Sequence, residues 1–153
     1  MDKMEQAIEM LNEVLARKMN CAAGYVLESS PYFTDADRRI VEAIASLNAT
    51  ARRHAKDAAR RIMLLEGVPR GGSYDPRVAD SNYLSVRYLL GQLLARLEQD
   101  VALFEEYRNH CEVLEARDFL ATVIGDDVSQ RDSLRTLLEQ LEVERSISAT
   151  HQP

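Results

Sequence analysis

Three side chains that could do chemistry lie where a bundle of helices would ordinarily place apolar residues. Lys18, His54 and Asp127 each interrupt a series of apolar residues spaced alternately four and three positions apart. Such spacing marks the buried face of a helix that packs in a bundle. An ammonium, an imidazole and a carboxylate at one level can form a buried ion pair or contribute ligands to a metal ion. The sequence therefore predicts a layer of polar side chains near the centre of a bundle.

The apolar series predict four helices and also the partners of these polar groups. Asp127 is the only acid that the series place opposite Lys18, and a buried lysine needs a counter-charge, so we predict that the two residues pair. Tyr25 and Gln130 are expected to complete the hydrogen bonds of the layer, and Leu94 to fill its last position. The four series contain, in chain order, Met4, Ile8, Leu11, Leu15, Ala22 and Tyr25; Ile40, Ile44, Leu47, Ala51 and Ala58; Leu90, Leu94, Leu97, Val101 and Phe104; and Ala116, Leu120, Val123, Leu134, Leu137 and Leu141.

Each polar residue also has a simpler interpretation. The stem of Lys18 could bend outward and place its ammonium in water, as long basic side chains often do. His54 is the only histidine of the helical body, and it is more readily a hydrogen-bonded core histidine than a metal ligand. Cys21 and Cys111 are most simply small apolar residues of the core. An ion pair and a solvated lysine predict different effects of substitutions at position 18.

The composition favours one all-helical domain. A chain of 153 residues is long enough to bury a substantial core, and its net charge of −6 argues against nucleic-acid binding. The two cysteines lie far apart and show no disulfide-framework spacing, which favours a reducing cytoplasm. Neither a signal peptide nor an apolar run long enough for a membrane span is apparent. We therefore expect a soluble cytoplasmic protein with no membrane partner.

Breaks in the periodicity predict where the helices begin and end. The first helix is expected to run from about Lys3 to about Ser29, because Pro31 disfavours helical geometry in the residue before it. The other predicted boundaries are a cap at Thr34 or Asp35 and an end at Glu66–Gly67 for the second helix, a cap at Asp80 or Ser81 for the third, and a break near residues 109–112 before the fourth.

The connection between the second and third helices is the longest, and it predicts the topology. Residues 67–82 contain three glycines, two prolines and no periodicity. Such a length suits a crossover that joins two parallel helices at opposite ends of a bundle. The predicted fold is an all-α, antiparallel four-helix bundle over residues 1–143. Residues 144–153 are expected to form a short C-terminal helix or a tail.

Several segments resemble the bacterioferritins, members of the ferritin-like superfamily. Residues His54–Pro69, which end in the motif LEGVP, resemble their second helix and the LEGxP turn that follows it. Leu11–Leu15 is similar to their first helix, and Arg117-Asp118 with Leu134–Leu141 is similar to their fourth. The resemblance extends from about Glu5 to Leu141, and it implies the same crossover bundle.

The resemblance also implies a di-iron ferroxidase centre, but most of its ligand positions carry other residues here. No Glu-x-x-His motif occurs in the chain, and the anionic oxygen ligands that two iron ions need are mostly missing. His54 and Asp127 are the only candidate metal ligands that remain, and we expect no metal there. Arg52 stands at the position of the methionine that binds haem, and a guanidinium does not ligate haem iron. The substituted ferroxidase positions are Lys18, Ala51, His54, Leu94, Asp127 and Gln130.

The function that this resemblance implies is a subunit of an iron-storage shell, without a working ferroxidase centre. Such a shell would contain about twenty-four subunits, of this chain alone or mixed with a ferroxidase-competent ferritin-like chain, and iron mineral would be its cargo. We expect no cofactor, and in particular no haem, in this chain. Two alternatives remain open at this point: a dimeric ferritin-like interaction module with no role in iron chemistry, and a diverged ferroxidase with an unusual metal site.

Overall fold

Four long helices dominate the described part of the chain. The computed structural model describes residues 1–21, 23–24, 38–71 and 86–150. The helices are α1 (Lys3–Met19), α2 (Arg38–Leu64), α3 (Val86–His110) and α4 (Leu114–Thr150), and these residues include no strand. None of the described helices is long and apolar enough to cross a membrane. The predicted all-α class is confirmed, as is the predicted break between the third and fourth helices.

The two ends of α1 are set by side chains that bind the backbone. Asp2 accepts a hydrogen bond from the Glu5 N–H at 2.8 Å, and the Glu5 carboxylate accepts one from the Asp2 N–H at 3.3 Å, which completes a capping box. At the other end, both the backbone N–H and the side-chain amide of Asn20 donate to the carbonyl of Ala16. The predicted continuous helix to Ser29 is therefore interrupted at Asn20, whose side chain competes for helical backbone groups, although residues 23 and 24 are again helical. Residues 25–37 lie outside the described residues, and so do the predicted cap at Thr34 or Asp35 and the predicted role of Tyr25.

The LEGVP segment ends α2 in a tight turn that packs on α1. Glu66 adopts a left-handed conformation with φ of 63°, and the Gly67 N–H donates to the Ile62 carbonyl at 2.9 Å. A Cβ at Gly67 would lie 2.8 Å from Ile8 Cγ2, so this position accepts only glycine without a shift of its neighbours. The buried amide of Asn12 in α1 then binds the chain beyond the turn, by donating to the Val68 carbonyl and accepting from the Arg70 N–H.

Two core clusters show how the helices run. One cluster joins most of α1 (residues 7–15), the last turns of α2, the end of α3 and the first half of α4. The other joins Ala23, just beyond α1, to the first halves of α2 and α3 and the second half of α4. Hence α1 and α2 are antiparallel, α2 and α3 are parallel, and α4 returns antiparallel to α3. Between Leu64 and Val86 the chain must therefore pass from one end of the bundle to the other. The predicted four-helix bundle with this crossover is confirmed, although residues 72–85, with the predicted cap at Asp80 or Ser81, lie outside the described residues.

The C-terminal region differs from the expected separate short helix. Residues 144–150 continue α4 without a break, and every residue from Glu142 to Thr150 is exposed. No proline occurs in α4, and its one glycine, Gly125, lies far before this region, so nothing in the sequence interrupts the helix. Leu141 is the last buried residue of α4, and the final turns project beyond the core.

Candidate functional site

The polar layer predicted for the bundle centre contains a buried ion pair between α1 and α4. Lys18 Nζ lies 2.7 Å from Asp127 Oδ1 and 2.7 Å from Asp127 Oδ2, so the ammonium donates to both oxygens of the carboxylate. The two side chains are only 5% and 1% exposed. The predicted Lys18–Asp127 pair is confirmed, and a lysine that places its ammonium in water is excluded.

Apolar groups enclose this pair on the side of α2 and α3. Lys18 Nζ lies 5.7 Å from the centre of the Phe104 ring, within the range of a cation–π contact. Beside the Lys18 side chain is a cavity of about 40 Å³. Its lining combines apolar residues with charged residues of α1 and α3: Arg17, Lys18, Cys21, Leu47, Ala51, Leu93, Arg96, Leu97 and Asp100.

His54 of α2 lies close to Asp127, but its hydrogen bond is to the neighbouring carboxylate of Asp126. Its Nε2 lies 2.8 Å from Asp126 Oδ2, and its Nδ1 lies 3.8 Å from Asp127 Oδ1, which is too far for a hydrogen bond. The hydrogen bond from His54 lowers the pKa of Asp126, so Asp126 is an ionised acceptor and His54 Nε2 carries the proton. In this tautomer Nδ1 is a bare acceptor, and it is a buried atom without a hydrogen-bond partner among the described residues. Burial lowers the pKa of His54, and Lys18 acts in the same direction.

A second ion pair lies beside the first, at the surface side of the cavity. Arg17 donates to Asp100 Oδ1 at 2.7 Å and to Glu13 Oε1 at 3.1 Å. Burial raises the pKa of Asp100, although its hydrogen bond to Arg17 and the nearby Lys18 ammonium act against that rise. Charges of alternating sign therefore lead from the exposed Glu13 through the bundle to Asp127.

Three of the contributing residues were not expected from the sequence. Arg17, Asp100 and Asp126 all lie off the predicted apolar series, so the periodicity predicts that they face solvent. The spacing of Glu13 and Arg17, four positions apart, was the one available signal of an ion pair. Asp126 was not predicted as a partner because the apolar series places its neighbour Asp127, and not Asp126, on the buried face.

Other predicted members of the layer lie elsewhere. Gln130 donates through Nε2 to the hydroxyls of Ser46 and Thr50, both at 3.2 Å, and so bridges α4 to the outer side of α2. Leu94 is only partly buried, whereas Leu93 and Leu97 are buried and line the cavity beside Lys18.

Two substituted positions lie on different sides of α2. Ala51 is buried beside the Lys18 side chain, at the cavity. Arg52, the next residue, is exposed and lines an open pocket that it shares with Lys18 and Met19 of α1.

Comparison with known proteins establishes the fold. The chain is similar to a ferritin-like diiron-carboxylate protein from Bacillus anthracis str. Ames, with 18% identity, a TM-score of 0.73, and coverage of 90% of this chain and 99% of the other. It is also similar to the Rhodobacter capsulatus bacterioferritin, solved with a metal-free dinuclear site and haem iron, with 20% identity, a TM-score of 0.69, and coverage of 90% and 86%. No family model and no curated protein matches the chain. At these identities the similarity shows that the chain has the ferritin-like four-helix bundle fold.

The described residues of the central layer do not fit the di-iron centre that the resemblance to bacterioferritins implies. Both oxygens of Asp127 are engaged by an ammonium, and a metal ion in contact with that carboxylate would lie against a positive charge. Among the described residues, no group of three or more His, Cys, Asp and Glu side chains is arranged to hold a metal ion. The exposed guanidinium of Arg52 likewise offers no ligand to haem iron.

Proposed function

We propose that this chain is a structural subunit of a bacterioferritin-like iron-storage shell in the cytoplasm. It lacks a functional ferroxidase centre and co-assembles with a catalytic ferritin-like chain. Iron mineral is then the cargo of the assembled shell, and the chain itself binds no cofactor and no haem. The observation that carries the proposal is the buried Lys18–Asp127 pair at the centre of a ferritin-like bundle.

The ion pair supports a structural role because it gives the bundle a balanced core without iron. A carboxylate that is 1% exposed is costly unless a positive charge compensates it. In a metal centre the metal ion supplies that charge, whereas here Lys18 supplies it permanently. The subunit would therefore be equally folded in iron-poor and iron-rich conditions, which suits a part whose task is to complete a shell.

The alternative of a diverged ferroxidase has less support. The described residues include no group of three or more His, Cys, Asp and Glu side chains placed to hold a metal ion, and the ammonium of Lys18 already occupies the Asp127 carboxylate. Two oxidisable iron ions would need several further anionic oxygen ligands.

Assembly and iron oxidation can be measured on the same preparations. The chain is purified alone and after co-expression with a ferroxidase-competent ferritin-like chain, and its mass is measured by light scattering with electron microscopy of the particles. Fe(II) oxidation is followed by absorbance, with the buffer as blank and the catalytic chain as positive control. The haem content is read from the Soret band after growth with added haem.

The proposal expects a hollow shell of about twenty-four subunits in at least one preparation. It also expects iron oxidation only where the catalytic chain is present, and no Soret band from this chain alone. A chain that remains a dimer in both preparations would exclude the shell and support an interaction module. Fe(II) oxidation by the pure chain above the blank would exclude the inactive centre.

A further inference from the structure

We propose that the polar layer is a binding site for a primary alkylammonium ion, which the native chain fills with the tethered ammonium of Lys18. This inference rests on the proposed absence of metal from the layer, and it adds the chemical class of the site's occupant. If the site binds alkylammonium ions in general, a free amine of the right length should be able to replace the Lys18 side chain.

The first support is the geometry around the ammonium. Both oxygens of Asp127 lie 2.7 Å from Lys18 Nζ, and the Phe104 ring centre lies 5.7 Å away. A carboxylate binds an ammonium through charge-assisted hydrogen bonds, and an aromatic face attracts the same charge. The carboxylate approaches from α4 and the ring from α3, so the site exists independently of the helix that carries the lysine.

The second support is the vacant nitrogen of His54. This side chain is 2% exposed, and its Nδ1, which lies 3.8 Å from Asp127 Oδ1, has no hydrogen-bond partner in the part of the chain that the structure describes. Since Nε2–H is committed to Asp126, Nδ1 adds a lone pair to the same region and no proton. Asp127 and His54 thus place hydrogen-bond acceptors at the centre of the layer, where a cationic donor is favoured. In the native chain that donor is the ammonium of Lys18, which donates to Asp127.

The third support distinguishes an alkylammonium from a metal ion. Four of the nine residues that line the cavity beside the Lys18 side chain are the apolar Leu47, Ala51, Leu93 and Leu97, so an alkyl stem can pack against this part of the lining, whereas a hydrated ion would gain nothing from it. A metal ion would need three or more ligands, and the described residues contain no group of three or more His, Cys, Asp and Glu side chains that could hold one. An ammonium with an apolar stem needs only the carboxylate and the ring.

Chemical complementation of Lys18→Ala tests the inference. The substitution removes the atoms from Cγ to Nζ, which correspond to propylammonium. Because a ligand that binds only the folded state stabilises it, we expect the melting temperature of the variant to rise by about 3–6 °C at a propylammonium concentration tenfold above its Kd. Propanol, which has a similar shape and no charge, should give a much smaller rise, and hexylammonium should be too long. If the variant is unfolded without amine, its folded fraction is measured by circular dichroism against amine concentration.

The control variant is Lys18→Ala combined with Asp127→Asn, which keeps the cavity and removes the carboxylate charge. The native chain and this double variant should both show no response to propylammonium. An equal response to propanol, a response that persists in the double variant, or no response of Lys18→Ala at all would overturn the proposal. Stabilisation of the native chain by Zn²⁺ or Mn²⁺ that is lost in His54→Ala would also overturn it, because the layer would then be a metal site. None of these results depends on whether the chain assembles into a shell.

Discussion

The sharpest test of the central layer is to remove the two charges separately and together. Lys18→Met keeps most of the stem and deletes the ammonium, which leaves the Asp127 carboxylate buried without its partner. Because the two side chains are 5% and 1% exposed, water cannot take the place of the lost partner. Breaking a buried pair in this way typically costs about 3–5 kcal/mol of the free energy of unfolding. For a domain of this size, a loss of about 3–5 kcal/mol lowers the melting temperature by roughly 6–20 °C.

The double variant, Lys18→Met with Asp127→Leu, should be more stable than either single variant. Replacing both members of a buried pair by apolar residues of similar volume is often neutral, so we expect it to lie within about 2 kcal/mol of the native chain. The difference between the double variant and the sum of the two singles is the coupling energy of the pair. It is measured by urea unfolding at pH 8, where the low pKa of His54 keeps its imidazole neutral.

The pH dependence of the single variant gives a second readout of the same geometry. In Lys18→Met the stranded carboxylate lies 3.8 Å from His54 Nδ1, and a protonated imidazole could supply the missing positive charge. The cost of Lys18→Met should therefore shrink as the pH falls from 8 towards 5. A neutral effect of Lys18→Met at pH 8, or a double variant less stable than both singles, would refute the buried pair as the organising contact of the layer.

Two further predictions follow from the imidazole and from the turn after α2. Burial lowers the pKa of His54 in the folded chain, so the unfolded chain binds the proton more tightly. The stability that the neutral, buried imidazole contributes is therefore complete above pH 6.5 and is lost as the pH falls below it. Urea unfolding from pH 8 to pH 5 should show that loss, and a His54→Gln variant should show a flatter profile; equal slopes would contradict the assignment. Glu66→Gly should raise the free energy of unfolding by about 0.5–1 kcal/mol, because it relieves the left-handed φ of 63°. Gly67→Ala should instead lower it, because the new Cβ would meet Ile8 Cγ2 at 2.8 Å, and thermal melts in which both substitutions act alike would refute this account of the turn.

The fold and the central pair could be predicted because both depend on periodicity. A lysine and an aspartate in phase with apolar neighbours on different helices can only meet in the core, whatever the details of the loops. The third helix was harder because leucines at 89, 90, 93, 94 and 97 satisfy two neighbouring faces equally well. In the structure Leu93 is buried and Leu94 is only partly buried. The sequence contains no signal that favours the helix face with Leu93 over the face with Leu94.

Side-chain partners off the apolar series could not be predicted. Gln130 is in phase with Asp127, yet its amide is long enough to reach two hydroxyls on the outer side of α2, where water also remains available. Asn20 ends α1 through a local hydrogen bond that a periodic pattern does not register. Such choices are decided by competition between several polar partners of similar energy, and a single sequence does not rank them.

The adjacent aspartates of α4 explain why a histidine is compatible with a layer that has its own ammonium. Successive residues of a helix point about 100° apart, so Asp126 and Asp127 face different directions. The Asp127 side chain points inward to Lys18. Asp126 is partly exposed, and its carboxylate accepts hydrogen bonds from His54 Nε2–H and, at 3.2 Å, from Arg53. Burial and the Lys18 ammonium keep His54 neutral by lowering its pKa, against the upward effect of the Asp126 hydrogen bond, and that bond turns the bare Nδ1 towards the core. Asp126→Asn should weaken that restraint: the pKa of His54, followed by NMR, should fall further once its hydrogen bond to a carboxylate is lost. An unchanged His54 pKa would show that Asp126 does not set the state of the imidazole.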